Sequence, residues 1–323
     1  MKRATLSVLT PNYNHAKYIG EAIEAVVSQS RQPDEYIILD DASTDNSLEI
    51  IEQYASQYSF IKVFQNSENK GVIYSLNRLV ELASGEYIYG GAADDKILPG
   101  FLEKSMQMLE NYPQAALCCA IPASLDEETG VIVNGYNLYP KEGGYLSPEQ
   151  LMPLIRATNF WIATHTVIQK RSSLSSVWFL PELKWSSDWF AHLVAAARQG
   201  ICFIPEPLAI FRVTGNNYCL NLRNWQEQKP IIQNIIEYIE SPTYQDTRNF
   251  FVRSGVLKQV PGPYGLPGIF FLAPRNLKYS RYLTHNVVLY GIIFLFKKLL
   301  KKVLPRRFIV VLKNFKYKLK SNP

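Results

Sequence analysis

Between residues 4 and 121, short apolar runs alternate with segments in which apolar residues recur every three or four positions. The runs are rich in β-branched, leucine and aromatic residues and predict strands at Leu6–Leu9, Tyr36–Leu39, Ile61–Phe64, Tyr87–Tyr89 and Ala116–Ile121. The intervening segments predict amphipathic helices, one of which places Ile19, Ile23 and Val26 on a single face. This alternation predicts an α/β fold with a Rossmann-like, doubly wound, mostly parallel sheet and helices on both faces.

Polar residues follow four of these predicted strands, at the point where each strand ends. They are Thr10-Pro11-Asn12-Tyr13-Asn14, Asp40-Asp41, Asn69-Lys70-Gly71 and Asp94-Asp95. Ligands of doubly wound sheets bind at the carboxyl ends of the strands. We therefore expect one site for a polar ligand at this edge. The sequence has neither a GxxxxGKS/T loop nor a GxGxxG run, so a P-loop or a dinucleotide fingerprint is not supported.

The pair Asp94-Asp95 has two interpretations. Two adjacent carboxylates repel each other and lose hydration, so a divalent cation that carries a phosphate would offset their charge. Alternatively the pair belongs to a turn, because Asp-Asp-Lys before Pro99-Gly100 is also typical of loops. The short motif alone favours the turn. Its place at the end of the fourth strand, beside the Asp40-Asp41 loop, favours a metal–diphosphate site.

Residues 183–190 combine two tryptophans with an acid at the predicted start of a helix. Asp188 lies between Trp185 and Trp189, and an apolar helical face follows up to Gln199-Gly200. By position alone, Asp188 is a first-turn acid favoured by the helix dipole. His165 stands alone between two threonines, and a structural role and a contact with a ligand are equally compatible with that pattern.

The charge of the chain is unevenly distributed. The formal net charge is +6, yet ten Lys and Arg and no acid fall within 297–323, which leaves residues 1–296 with a net charge of −4. Helical spacing over 224–239 is followed by 287–304, where apolar pairs alternate with lysine pairs. These patterns predict a helical C-terminal region, in which 287–323 is expected to form an interfacial helix on an anionic membrane. The alternative is a helix packed on its own domain or on a dimer partner.

Other features limit location and partners. The longest apolar run, 287–296, has ten residues, about half of the roughly 20 needed to span a bilayer. The four cysteines form no CxxC pair, and the chain starts without a signal-peptide pattern. We expect a cytoplasmic protein that is peripheral on the inner face of the plasma membrane. No nucleic-acid partner is expected, because the sequence has no known binding motif for one.

The chain resembles the family 2 glycosyltransferases in five linked motifs. They are Leu6–Asn14, Tyr36–Asp45, Asn69-Lys70-Gly71 followed by Asn77, Gly85–Ile88 leading to Asp94-Asp95, and a later block from Asp188 to Phe211-Arg212. The resemblance implies a GT-A fold, inversion at the anomeric carbon and Mn²⁺ or Mg²⁺ as cofactor. It also implies a nucleoside-diphosphate-sugar donor, foremost a UDP-sugar, and hexosyl transfer to a glycan or lipid-linked acceptor in cell-surface polysaccharide or glycolipid synthesis.

The resemblance also assigns roles to residues. Thr10, Pro11 and Tyr13 would line the nucleoside pocket, Asp41 or Asp40 would accept a hydrogen bond from the base, and Asn69 and Gly71 would belong to the donor loop. Asp94 and Asp95 would contact the metal and the ribose, and Arg212 would neutralise phosphate. Asp188 would be the general base, with Trp185, Trp189 and His165 at the acceptor.

Three positions depart from the family pattern. Ala92 stands where many members have an acid, Ser187 where a glutamate often precedes the base, and Thr214 where a histidine often follows the arginine. These departures keep a second interpretation open, a non-catalytic nucleotide-sugar-binding or membrane scaffold protein on the same fold. The expected division of the chain is 1–121 for the donor half, 122–215 for the acceptor half and 216–323 for the helical C-terminal region.

Overall fold

The structure, a computed structural model, describes residues 3–135, 139–158, 160–174, 179–214 and 225–259. The strands in this part of the chain are β1 (Leu6–Asn12), β2 (Glu35–Asp40), β3 (Ile61–Gln65), β4 (Tyr87–Gly90), β5 (Lys96–Ile97), β6 (Leu117–Asp126), β7 (Ile132–Asn134), β8 (Gly144–Leu146), β9 (Ile168–Lys170) and β10 (Ile201–Val213). The helices are α1 (Ile19–Val27), α2 (Ser47–Gln57), α3 (Val72–Leu82), α4 (Phe101–Asn111), α5 (Pro148–Ala157), α6 (Ser187–Gln199), α7 (Trp225–Glu240) and α8 (Arg248–Ser254).

All ten strands belong to one sheet, in the order β3-β2-β1-β4-β9-β6-β10-β5, with β7 beside β6 and β8 beside β10. The first four strands in this order pair in parallel, as the strand–helix alternation predicted. The α/β fold is thus confirmed, and one sheet takes strands from both 1–121 and 122–215.

The sheet is more mixed than the sequence indicated, because β9 lies antiparallel between β4 and β6. The chain reaches β9 from the 3-10 segment Thr164–Thr166, where the hydroxyl of Tyr89 donates to the carbonyl of His165 across 3.3 Å. That segment lies beyond the carboxyl end of β4. A strand that enters the sheet from this edge must run against its neighbours.

The two faces of the sheet bury separate clusters of side chains, as the period of two along a strand requires. On one face, α1, α2 and α4 pack on residues such as Val8 and Tyr36. On the other face, α3 and α5–α8 pack on the alternate residues, such as Leu9 and Ile37. Helices therefore cover both faces, as predicted.

Glu35 ties together the strands that lead to the carboxyl edge. It is buried at the start of β2 and accepts hydrogen bonds from Ser7 Oγ at 2.6 Å and Ser84 N at 2.7 Å, while Lys62 Nζ lies 2.6 Å away. Gly85 packs so closely that a Cβ there would lie 2.5 Å from Ser7 Oγ. These contacts join β1, β2, β3 and the start of β4, and they lower the pKa of Glu35 to about 2.

Strand β10 carries the later motif to the same edge. It pairs in parallel with β6 over most of its 13 residues, with register shifts around Pro207. Proline donates no ladder hydrogen bond and is tolerated at such bulges. The strand continues past the bulge and places Arg212 next to the residues that follow β4.

The basic segment 287–323 lies outside the described residues, so its membrane association stays a prediction. Within the described ranges, no helix is long and apolar enough to cross a membrane. The helix predicted over 224–239 is present as α7.

Candidate active site

Asp40 organises the loop between β2 and α2. The residue is fully buried, and its Oδ1 accepts from Asn12 Nδ2 at 2.8 Å and from the hydroxyl of Ser43. The N–H of Ser43 donates to Oδ2 at 3.0 Å. These contacts join the end of β1 to the end of β2. Asp40 is therefore occupied in holding the loop.

Asp41 holds the loop that leads into α3. Its Oδ1 accepts from Lys70 N at 2.9 Å and Asn66 Nδ2 at 2.6 Å, and its Oδ2 accepts from Gly71 N at 2.8 Å. The Oδ1 of Asn66 in turn accepts from the guanidinium of Arg78. No local pattern indicates a role for Arg78, because it acts through a contact that only the folded chain creates.

The predicted nucleoside residues surround these loops with unequal exposure. Thr10 is buried and its Oγ1 lies 3.1 Å from the hydroxyl of Tyr36, whereas the Tyr13 side chain is 41% exposed. Asn69 Oδ1 accepts from Gly71 N at 3.0 Å, which braces the same loop. Pro11 is half-buried within β1. Tyr13 is thus the predicted aromatic that is free to pack on a ligand.

Asp95 and Arg212 join the loop after β4 to the end of β10. The N–H of Arg212 donates to Asp95 Oδ1 at 2.9 Å, and its Nε donates to the carbonyl of Asp94 at 3.0 Å. The guanidinium also pairs with Glu21 and lies over the Tyr18 ring, 5.0 Å from its centroid. Asp95 is only 8% exposed, and burial together with the charge of Asp94 raises its pKa to about 8.

These acids fit a divalent cation only when other oxygens complete its shell. Within the described ranges, no three His, Cys, Asp or Glu side chains gather to hold a metal. Asp94 is half-buried, Asp95 is buried, and Ala92 is exposed where an acid would stand in many relatives. Mg²⁺ is commonly held by one or two carboxylates plus substrate phosphates and water. The donor set and the unfavourable burial of Asp95 beside Asp94 match that kind of site.

Asp188 lies in the first turn of α6, as predicted. Its Oδ1 accepts from Trp189 N at 2.6 Å, and its carboxylate accepts a hydrogen bond from the Thr164 side chain. Burial raises the pKa of Asp188 despite these hydrogen bonds. The preceding Ser187 is buried, and its Oγ has no hydrogen-bond partner among the described residues. Asp188 is thus a poorly hydrated carboxylate, which favours proton uptake.

The segment Thr164–Thr166 connects the two groups of acids. At one end of the segment, the Thr164 side chain bonds to Asp188. In its centre, the His165 carbonyl accepts a hydrogen bond from the Tyr89 hydroxyl. Burial and the nearby charge of Asp95 raise the pKa of Tyr89. The His165 ring lies 5.9 Å from Phe211, and burial lowers its pKa to about 4. His165 is therefore neutral at pH 7, with a buried Nε2 that no described residue satisfies.

The two predicted acceptor tryptophans differ in environment. Trp189 is 3% exposed and stacks on Trp161 with ring centroids 6.3 Å apart, so it belongs to the core. Trp185 is half-buried, and the ammonium of Lys184 lies 5.6 Å from its ring centroid. Lys184 has φ +44° and ψ −125°, a conformation that costs a non-glycine residue about 1–3 kcal/mol. This strained residue lies in the 3-10 segment that leads directly into α6 and Asp188.

A charged cluster on the outer side of this edge was not predicted. Glu127, in the turn after β6, accepts from Lys17 Nζ at 2.7 Å and from the hydroxyl of Tyr18 at 2.7 Å. Tyr18 in turn supports Arg212. Glu127 and Lys17 are 110 positions apart, so no sequence pattern indicates their pairing.

Two cavities lie outside these carboxylates. One, of about 790 Å³, is at the amino edge of the sheet near Arg3, Gln32 and Glu110, and contains none of the predicted residues. The other, of about 700 Å³, is lined by Lys70, Gly71, Tyr74 and Arg78 and adjoins the Asp41 loop. The second cavity is the one connected with the candidate site.

The profile of glycosyl transferase family 2 matches residues 7–165. EpsE of Bacillus subtilis (strain 168), which is named as a glycosyltransferase, is 43% identical over 108 residues, or 33% of this chain and 39% of EpsE. TuaG of the same organism, named as a teichuronic acid biosynthesis glycosyltransferase, is 27% identical over 231 residues, or 69% of this chain and 84% of TuaG. The chain thus spans well under half of EpsE and most of TuaG.

Solved glycosyltransferases share the fold. The complex of S. aureus TarS 1-349 with UDP-GlcNAc has a TM-score of 0.58 at 17% identity, covering 89% of this chain and 92% of that one. The mannosyltransferase PcManGT of Pyrobaculum calidifontis, in complex with GDP-Man and Mn²⁺, has a TM-score of 0.53 at 16% identity, covering 90% and 81%. Together with the profile match and the motif residues at one sheet edge, these similarities show that the chain has a GT-A fold and belongs to glycosyl transferase family 2.

Proposed function

We propose that the protein transfers a hexosyl group from a nucleoside-diphosphate-sugar to a hydroxyl acceptor, with inversion at the anomeric carbon. One observation supports this proposal above the others. Asp188, a half-buried carboxylate with a raised pKa, belongs to α6 and not to the loop of Asp94-Asp95, and the segment 164–166 contacts both Asp188 and Tyr89, which neighbours Asp95. One basic group and one diphosphate site are what a direct displacement requires.

The donor would lie across the loops at the carboxyl edge. Asp41 and the exposed ring of Tyr13 would meet the base, with Thr10 and Pro11 beside the nucleoside and Asn69 and Gly71 bracing the loop. A UDP-sugar is the first donor to test, because TarS is known in complex with UDP-GlcNAc. PcManGT, in complex with GDP-Man, makes a GDP-sugar the second.

Asp94 and Asp95 would hold Mn²⁺ or Mg²⁺ together with the diphosphate. The ion, when bound, offsets the charge of the leaving diphosphate. Arg212 would neutralise phosphate, and its guanidinium also contacts Glu21 and the Asp94 carbonyl. It fixes the backbone on which both acids stand and adds positive charge nearby.

Asp188 would act as general base. Its carboxylate takes the proton of the acceptor hydroxyl while the acceptor oxygen bonds to the anomeric carbon and the bond to the diphosphate oxygen breaks. The raised pKa of Asp188 makes it a stronger base than an exposed aspartate. His165, neutral at pH 7, and the exposed part of Trp185 would face the acceptor, whereas Trp189 would support Asp188 from the core.

The acceptor is proposed to be a growing glycan or a lipid-linked sugar in cell-surface polysaccharide or glycolipid synthesis. The name of TuaG, which refers to teichuronic acid biosynthesis, supports a polysaccharide. The basic segment 287–323 would hold the protein at the inner face of the plasma membrane, where such acceptors are assembled.

The test combines binding with turnover. UDP-, GDP- and dTDP-sugars are added separately, with and without Mn²⁺, and thermal stabilisation identifies the donor. Release of the nucleoside diphosphate then measures hydrolysis or transfer. We expect Mn²⁺-dependent release that is lost in Asp95→Asn and Asp188→Asn. Full activity in both variants would refute the mechanism, and binding without release over a broad acceptor panel would favour the non-catalytic binder that Ala92 and Ser187 left open.

A further inference from the structure

A cleft of about 700 Å³ lies beside the donor loop, and of the residues proposed to bind the donor or to act as base only Gly71 lines it. Its walls include Lys70, Tyr74 and Arg78 from the α3 side, with Pro181 opposite. Pockets for small ligands commonly have volumes of about 300–1,000 Å³. The cleft therefore has the size of a binding site.

The two walls of the cleft are fixed to each other. Asn77 on α3 donates from Nδ2 to the Phe179 carbonyl at 2.9 Å and accepts from Phe179 N at 3.0 Å. Phe179 leads into the 3-10 segment Pro181–Ser186, which α6 and Asp188 follow directly. The cleft thus opens near Gly71, held by Asp41, and is bounded by the segment that precedes the proposed base.

Arg78 gives the cleft a cation that no carboxylate of the described residues neutralises. Its guanidinium donates to Asn66, and no carboxylate of the described residues lies within 4.0 Å of it, including Glu81 one turn away. Lys70, by contrast, pairs with Glu68. A guanidinium presents five N–H donors in a planar fork that matches a carboxylate, sulfate or phosphate. Most of that fork is available to a ligand.

The wall beside Arg78 is apolar and exposed. Tyr74 is 48% exposed and Val72 is also among the exposed large apolar side chains of the described residues. An exposed aromatic ring packs well against the apolar face of a sugar. A ring and a cation less than two turns apart on one helix suit a saccharide that carries an acidic group.

From these observations we infer that the cleft between α3 and Pro181–Ser186 is a subsite for an anionic saccharide chain of the acceptor. An acidic substituent of one sugar pairs with Arg78, while a neighbouring ring packs on Tyr74. The inference rests on the proposed glycosyl transfer and adds the chemical class of the acceptor. The competing source of the same anion is the diphosphate of the donor.

The experiment measures binding by calorimetry with three probes: tetragalacturonate, neutral maltotetraose and UDP with Mn²⁺. Arg78→Gln removes the charge and keeps an amide that can donate to Asn66, and Lys229→Gln on exposed α7 removes one charge elsewhere as the control. We expect tetragalacturonate to bind at least tenfold more tightly than maltotetraose. Arg78→Gln should weaken tetragalacturonate at least tenfold and at least fivefold more than it weakens UDP, because Arg78 reaches the Asp41 loop only through Asn66, and it should differ clearly from the control.

Two further results complete the test. Tyr74→Ala should weaken both saccharides, and UDP should not displace tetragalacturonate from the wild type. Equal binding of the acidic and neutral saccharides, or an effect of Arg78→Gln no larger than that of the control, would overturn the inference. Displacement by UDP would assign Arg78 to the donor. If UDP and every nucleotide-sugar fail to bind while tetragalacturonate binds through Arg78, the proposed transfer fails and the subsite stands.

Discussion

Glu35→Gln perturbs the group that holds the active-site strands together at their amino ends. The pKa of Glu35 falls from 4.5 to about 2 on folding, so its ionised form is favoured in the folded protein. At about 1.4 kcal/mol per pKa unit, the shift corresponds to about 3.4 kcal/mol at pH 7. Burial opposes ionisation here, so the stabilisation comes from Lys62, Ser7 and Ser84. Because Lys62 is 53% exposed and screened by water, we expect about 2–3 kcal/mol.

The pH dependence gives the sign of this effect. A lowered pKa contributes stability above the unfolded value of 4.5, and that stability is lost as the pH falls toward 2. Urea unfolding at pH 7 should therefore show Glu35→Gln less stable by about 2–3 kcal/mol, and the difference should shrink to about 1 kcal/mol at pH 3. Lys62→Gln should cost less, since the hydroxyl and backbone donors to Glu35 remain. A deficit that is absent at pH 7, or that does not shrink with acid, would refute the reasoning.

Two further predictions concern the site itself. Lys184→Gly tolerates the positive φ at this position, whereas Lys184→Ala keeps its strain, and both variants lose the same side-chain contacts. In urea unfolding, the glycine variant should therefore be more stable than the alanine variant by about 1 kcal/mol. Equal stabilities would contradict the strain. Arg212→Gln loses the guanidinium contacts with Glu21 and the Asp94 carbonyl, and calorimetry should show donor affinity reduced about tenfold. Arg212→Lys should not restore the affinity, because lysine lacks the planar guanidinium. Affinity within twofold of the wild type would argue against this role.

Much of the fold follows from local sequence patterns. Strands β1–β4 and β6 and the helices between them have apolar periods strong enough to predict, and their order alone indicates a doubly wound sheet. By contrast, β7, β8 and β9 are three residues each, too short for a period to emerge. Strand β10 contains Pro205 and Pro207, which local propensity disfavours within a sheet, and its pairing with β6, β5 and β8 makes it a strand.

The site divides in the same way. Asp41, Asp94 and Asp95 are proposed for the site from their positions at strand ends, and Asp188 from the family resemblance. Residues that act through distant contacts leave no local trace: Arg78 reaches Asn66, Tyr89 reaches His165, and Glu127 reaches Tyr18. The sequence shows only that Trp189 is an aromatic residue in the first turn of a helix. Its burial could not be predicted, because it depends on the contact with Trp161 across the core.

The role of Asp188 is the central claim, and single-turnover transfer by Asp188→Asn tests it most directly. Donor binding should stay within twofold of the wild type, because Asp188 lies apart from the nucleotide loops, while transfer should fall about 10²–10⁴-fold with the loss of the general base. Asp246→Asn, which removes a surface carboxylate paired with Arg198 at the far end of α6, should be unaffected. In the wild type, burial should place the acidic limb of the pH profile above the usual aspartate range, because only the ionised form accepts a proton. Transfer by Asp188→Asn within tenfold of the wild type would contradict the account.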